Sequence, residues 1–219
     1  MGYSTIFSGV FKLDRPLKAE HAAYLRRFTE TRRMKRDANI AVNFPDPVRI
    51  AVELPIGNEG EYFVGGIDDH DESVINGNNP PGEQPGLWCH WVPGGNDDTI
   101  EWDEGEIFYK HKKWIKYLIV HFIAPWGYIL NGEVKWQGEH FQDTGIILIK
   151  NNSVEITDIE TLYKNQKQEL LEKDQRIREL EQKVKELEAT NLMLQLEIDY
   201  RPGGKGAIEA QTHFESCAK

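Results

Sequence analysis

The chain has only two cysteines in 219 residues, Cys89 and Cys217. Two distant cysteines make neither a disulfide framework nor a zinc site. Reduced thiols and an intracellular setting are therefore expected, a host cytoplasm if the source is a virus. Long apolar runs are also lacking. No stretch approaches the roughly 20 apolar residues that span a bilayer, and the opening MGYSTIFSGVFKLDR has no signal-peptide core. Ile6 stands where myristoylation of Gly2 would want Ser or Thr. No membrane partner is expected. Positive charge is missing from one long segment: residues 50–109 hold fourteen Asp and Glu and no Lys or Arg. The net charge of −10 disfavours generic nucleic-acid binding. P-loop, dinucleotide-binding, Ser-His-Asp and zinc-hydrolase motifs are missing too, so no cofactor is expected.

What is present falls into three parts. Residues 1–156 read as a globular α+β domain, an antiparallel sheet with two packed helices. YSTIFSGVFKL alternates as a strand. RPLKAEHAAYLRRFTET reads as a helix with Pro16 in its first turn, placing Leu17, His21, Tyr24, Leu25 and Phe28 on one face. VRIAVEL and EYFVGGI are short strand candidates, and residues 67–86 a long polar loop. GLWCHWV and TIEWDEGE look like a strand pair. KHKKWIKYLIVHFIAP gives a second helix, with Trp114, Ile115, Leu118, Ile119 and Phe122 inward and Pro125 as its stop. YILNGEVKWQGE, GIILIKN and VEI complete the sheet as a meander.

Residues 157–200 carry a heptad pattern. Ile156, Tyr163, Leu170, Ile177, Val184, Asn191 and Ile198 recur every seven residues, and Ile159, Gln166, Lys173, Leu180, Leu187 and Leu194 follow three residues after the first six. These are the a and d positions of a coiled coil. β-branched residues at a with Leu at d favour a parallel dimer, and a polar Asn191 at a sets register. Arg176 with Glu181, and Lys183 with Glu188, are g–e′ pairs of opposite sign. The expectation is a self-associating coiled-coil helix using Leu170, Ile177, Leu180, Val184, Leu187, Asn191, Leu194 and Ile198, a parallel dimer with a trimer as the alternative. RPGG then breaks the helix, and residues 201–219 form a short amphipathic terminal helix.

Four clusters are candidates for chemistry. In WCHW, alternation along a strand puts Trp88 and His90 on one face and Cys89 and Trp91 on the other. Cys89 and His90 therefore do not share a metal, and one pair is expected inside. Between residues 26 and 36 lie Arg26, Arg27, Arg32, Arg33, Lys35 and Arg36. Forked guanidinium groups suit phosphate or carboxylate; the acidic segment of the same chain is the other partner they could take. DDHDE at 68–72 lacks calcium-loop spacing and reads as a solvated acidic loop. Glu101 and Asp103 flank Trp102, and Glu133 and Glu139 flank Trp136, carboxylate pairs suited to acid–base work in a hydrolase.

RPLKAEHAAYLRRFTETRRMKRD, PPGEQPGLWCHWVP, IEWDEGEIFY and LNGEVKWQGE together resemble a family of uncharacterised proteins found in bacteria and viruses. The resemblance covers most of residues 3–156 and meets this chain at Arg32, Arg33, Trp88, Trp91, Trp102, Asp103, Trp136, Gln137 and Glu139. It implies no catalytic residue. The coiled coil followed by YRPGGKGAIEAQTHF is similar to C-terminal tails of proteins from large DNA viruses and phages, which implies a viral setting and a host-defence inhibitor. The expected function is a non-enzymatic binding protein, oligomerised by its coiled coil. Arg32, Arg33, Arg36, Trp88, Trp91, Trp102, Asp103 and Trp136 would line a cleft for an anionic, nucleotide-like ligand or a host protein. The alternatives are an assembly protein acting through coiled coil and tail, and a hydrolase using the carboxylates near Trp102 and Trp136.

Overall fold

The computed structural model describes residues 3–66, 71–105 and 107–217. The chain divides into two compact units, Met1–Leu162 and Tyr163–Lys219, and the first is α+β. Its strands and helices run β1 (Thr5–Ser8), β2 (Phe11–Leu13), α1 (Ala19–Glu30), β3 (Lys35–Arg36), α2 (Ala38–Ala41), α3 (Pro47–Ala51), β4 (Val74–Asn76), β5 (Trp91–Pro93), β6 (Thr99–Trp102) and α4 (His111–Leu118). A π-helical turn at Ile119–Ile123, then β7 (Leu130–Gly138), β8 (Thr144–Lys150) and β9 (Ser153–Asp158), complete it.

The main sheet is antiparallel, in the order β5-β6-β2-β7-β8-β9, with β1 also paired to β7. The first strand is interrupted at Gly9–Val10, yet both halves hold one register on β7, with Ser8 opposite Lys135 and Phe11 opposite Gly132. The meander closes on tight turns. Asn151 and Asn152 both have positive φ, the geometry that a two-residue hairpin loop requires and that Asn tolerates. Alternation decides the faces: Phe7, Phe11, Leu13, Trp91, Ile100, Leu130, Val134, Trp136, Ile147 and Ile149 are buried.

Helices α1 and α4 cover that face. Tyr24, Leu25 and Phe28 of α1 and Trp114, Ile115 and Leu118 of α4 enter the same core, at the spacing the sequence predicts. The core is largely aromatic. Trp91 meets Phe7 at 5.2 Å and Phe11 at 5.4 Å between ring centres, both edge-on, the arrangement that ring quadrupoles prefer. The Trp91 indole N–H donates to the carbonyl of His111 at 3.0 Å, tying β5 to the start of α4.

Several local expectations are corrected. The first helix begins at Ala19, and Pro16 lies before it. VRIAVEL is not a strand: Asp46 caps α3 by accepting the Arg49 backbone N–H, and Pro47 sits in its first turn, a helix start that outweighs the β-branched residues. Of EYFVGGI, residues 61–66 form no strand either, and Ile67 lies outside the described residues. Carbonyls that a ladder would use accept instead from guanidinium groups, Arg33 taking Glu61 and Phe63 and Arg27 taking Val64 and Gly66. Within the expected loop at 67–86, Val74–Asn76 pairs with Lys35–Arg36 as a small second sheet. The second helix continues past Leu118 as a π turn, with the Ala124 N–H reaching the carbonyl of Ile119 at 2.9 Å.

Beyond the sheet, α5 (Ile159–Asp199) is one helix of 41 residues. Its chain turns at Tyr200–Gly204, with Gly203 at positive φ, and α6 (Lys205–Cys217) follows. Among the described residues no helix is long and apolar enough to cross a membrane.

Candidate functional site

The basic and acidic segments largely meet each other. Arg26 pairs with Asp97, Arg36 with Asp71, and Lys35 with Glu59 at 2.7 Å. Asp68, Asp69 and His70 of the DDHDE run lie outside the described residues; Asp71 serves as the partner of Arg36. Burial pushes the Asp71 carboxyl up, but hydrogen bonds from Ser73 and Arg36 together outweigh it and hold the group below the usual carboxylate range.

Arg33 is the most informative of these cations. It is 1 % exposed, and no carboxylate is among the groups it hydrogen-bonds. Its Nε donates to Gln84 Oε1 at 3.1 Å, one terminal nitrogen to the Phe63 carbonyl at 2.9 Å and the other to the Glu61 carbonyl at 2.7 Å. The guanidinium lies over the Phe28 ring at 4.2 Å. The planar fork thus joins two loops, 61–63 and the one carrying Gln84, to α1. Gln84 passes the connection on, donating to the Glu61 carbonyl at 2.6 Å and to the Tyr117 hydroxyl at 3.1 Å.

What this knot supports is a cleft of about 490 Å³ between the two loops and the end of α4, walled by Glu61, Tyr62, Glu83, Tyr117 and His121. The π turn supplies His121. Wide turns of this kind occur often at functional sites, and here Phe122 and Ile123 remain in the core while His121 reaches the cleft. The imidazole stacks on Tyr117 with 4.1 Å between ring centres, and its Nδ1 lies 3.1 Å from the Tyr62 hydroxyl. Burial lowers the His121 pKa from its ordinary value. Burial likewise raises Tyr62, and pushes Tyr117 up to about 12, so both hydroxyls keep their protons at neutral pH. A shallower groove continues from the cleft along Lys113, Lys116 and Val120.

The structure does not gather the eight residues expected to line an anion cleft. Arg33, Arg36, Trp91 and Trp136 are buried. Trp136 donates to Asp143 at 3.1 Å and lies under the Lys112 ammonium. Arg32 donates to Asn78 at 3.3 Å. Trp102 packs on Phe7, and Trp88 is exposed. The face assignment in WCHW holds: Cys89 and Trp91 are inside, Trp88 and His90 outside or half-buried. Asp103 belongs to a pair that the sequence reading did not join. The β5–β6 register sets Trp91 across from Trp102, which brings His90 across from Asp103, and the His90 Nδ1 lies 2.9 Å from the carboxylate. Of the other carboxylates expected beside tryptophans, Glu139 accepts the Ser4 backbone N–H at 2.7 Å and Glu133 lies 3.7 Å from Lys135.

Sequence reasoning missed the Tyr62–Tyr117–His121 cleft. Tyr117 and His121 are four apart on a recognised helix, which was a usable signal. Tyr62 sits in a segment read as a strand, and nothing local announces that Arg33 holds it there. Among the described residues no group of three or more His, Cys, Asp and Glu is placed to hold a metal ion. No family model, curated protein or solved structure matches this chain.

Proposed function

We propose that this protein is a non-enzymatic binding protein: α5 assembles it as a parallel coiled-coil dimer, and the cleft of Tyr62, Tyr117 and His121 takes its ligand. One observation carries the reading. Every residue from 161 to 198 is exposed, including Leu170, Ile177, Leu180, Val184, Leu187 and Ile198. An apolar stripe of that length and heptad spacing is the hydrophobic seam that a second copy buries. The g–e′ charges at Arg176, Glu181, Lys183 and Glu188 suit a parallel copy in register. Asn191, at a, disfavours slipped alternatives.

The cleft has the form of a small-molecule site: concave, ring-walled and equipped with a few polar groups. Arg33 and Arg36 are committed to carbonyls and to Asp71, so this cleft, not an arginine-lined surface, is the candidate ligand site. Sedimentation of the wild-type chain and of the Leu180→Asp, Leu187→Asp double variant tests the assembly. The wild type is expected to sediment as a dimer at micromolar concentration, and the variant as a folded monomer. A wild-type monomer contradicts the reading.

A further inference from the structure

We infer that the cleft binds a small organic cation, an alkylammonium or guanidinium compound, with the Glu61 carboxylate as its counter-ion beside the rings of Tyr62 and His121. This rests on the reading of the cleft as the ligand site and adds the class of ligand. Three observations carry it.

The first is charge. The walls include Glu61 and Glu83 and no Lys or Arg. Lys113 and Lys116 belong to the adjoining groove and are exposed. An anion entering the cleft meets two carboxylates in its walls, with Lys113 and Lys116 only in the adjoining groove, whereas a cation meets both carboxylates with favourable sign.

The second is the placement of Glu61. Its carboxylate accepts the Glu59 backbone N–H at 2.9 Å, which leaves acceptor capacity for a ligand. It is fitted between Gly57 and Gly82, both at positive φ. A Cβ at Gly57 would stand 2.1 Å from Glu61 Oε2, and one at Gly82 would stand 2.9 Å from its Cγ. Among the described residues no cation pairs with it, although Glu59 two residues away has Lys35. The half-buried carboxylate is thus held in position and left without a counter-charge.

The third is the rings. Two tyrosines and an imidazole border the same space. Tyr117 is buried under His121, so the half-buried rings of Tyr62 and His121 are the ones open to a ligand, and aromatic faces attract ammonium and guanidinium groups through their quadrupoles. The lowered pKa of His121 keeps that ring uncharged at neutral pH, so it does not repel such a ligand.

Isothermal titration of the full chain with agmatine, and with adenosine monophosphate as an anionic comparator, tests the inference. Agmatine is expected to bind at submillimolar concentration. Glu61→Gln, which keeps the shape and an acceptor for Glu59, is expected to weaken that binding roughly tenfold or more, with unchanged circular dichroism. Adenosine monophosphate is expected to give no heat. Agmatine binding that Glu61→Gln leaves intact overturns the inference, and so does no agmatine binding at millimolar concentration. Adenosine monophosphate binding that is lost in Tyr62→Ala, with agmatine silent, overturns the cation but keeps the cleft as the site. Sedimentation of the same samples reads the assembly separately, so failure here and failure of the coiled-coil reading remain distinct.

Discussion

Cys89 and His111 show how burial sets chemistry at the scale of one side chain. Cys89 is 1 % exposed, and burial, partly opposed by its contact with the Trp91 backbone, pushes its thiol up to about 12. The thiolate is the reactive form, so Cys89 is inert in the folded protein although His90 is its neighbour. Exposed Cys217 is the contrast. Iodoacetamide at pH 8 is expected to label Cys217 alone in native protein and both residues in urea; peptide mass mapping reads the outcome. His111 is 7 % exposed, and its pKa is lowered from 6.5 to about 4, chiefly by burial and then by Lys112. The unfolded chain therefore takes up this proton more readily than the folded one. The stabilisation is fully present above pH 6.5, falls as pH drops from 6.5 towards 4, and changes no further below that. The window corresponds to about 3 kcal/mol. Denaturant melts at pH 7 and pH 4.5 are expected to show most of that loss, and His111→Gln is expected to flatten it.

Elements divide sharply in how legible they were. The meander β7–β9, α1, α4 and the β5–β6 hairpin were readable because their signals are local: alternation, 3.6-residue spacing, and turn residues such as Asn151 and Asn152. The segment 47–66 was not. Its β-branched and aromatic residues suggest strands, but Asp46 and Pro47 start a helix, and the carbonyls of 61–66 are taken by Arg27 and Arg33 from a distant helix end. No window of sequence contains that competition. The candidate site was lost for the same reason, since Tyr62 is placed by Arg33 and Gln84, not by its neighbours. The arginines were recognised as unusual, and their forked geometry was the right physics, but the acceptors proved to be the chain's own carbonyls. Arg33→Met keeps the apolar volume over Phe28 and strands two acceptors, Gln84 Oε1 and the Phe63 carbonyl, while the Glu61 carbonyl keeps its bond from Gln84. It is expected to cost about 3 kcal/mol or more in urea unfolding. Faster amide exchange should appear in residues 59–66 and 82–84 well before the sheet is affected. Uniform exchange throughout unit 1 would contradict the role given to Arg33 as the tie between those loops.

At the scale of the whole molecule, the proposed assembly and the proposed ligand site fall in different units. Met1–Leu162 holds a closed aromatic core and a cleft. Described residues 163–217 are almost entirely exposed helix, and the apolar stripe along them is in water, which is the surface the proposed second copy would cover. The heptads that reveal the stripe are visible in sequence, since a and d positions need only spacing. The cleft proposed for a ligand is not, because it depends on charges and rings brought together from three separate stretches of chain. The proposal that a second copy covers α5 is the claim on which the rest of the assembly argument depends. Native mass spectrometry of gently purified full-length protein tests it most directly. The account predicts a species at twice the 25.3 kDa chain mass that falls to single mass in the Leu180→Asp, Leu187→Asp variant. A wild-type protein that flies as a single chain at micromolar concentration would contradict it.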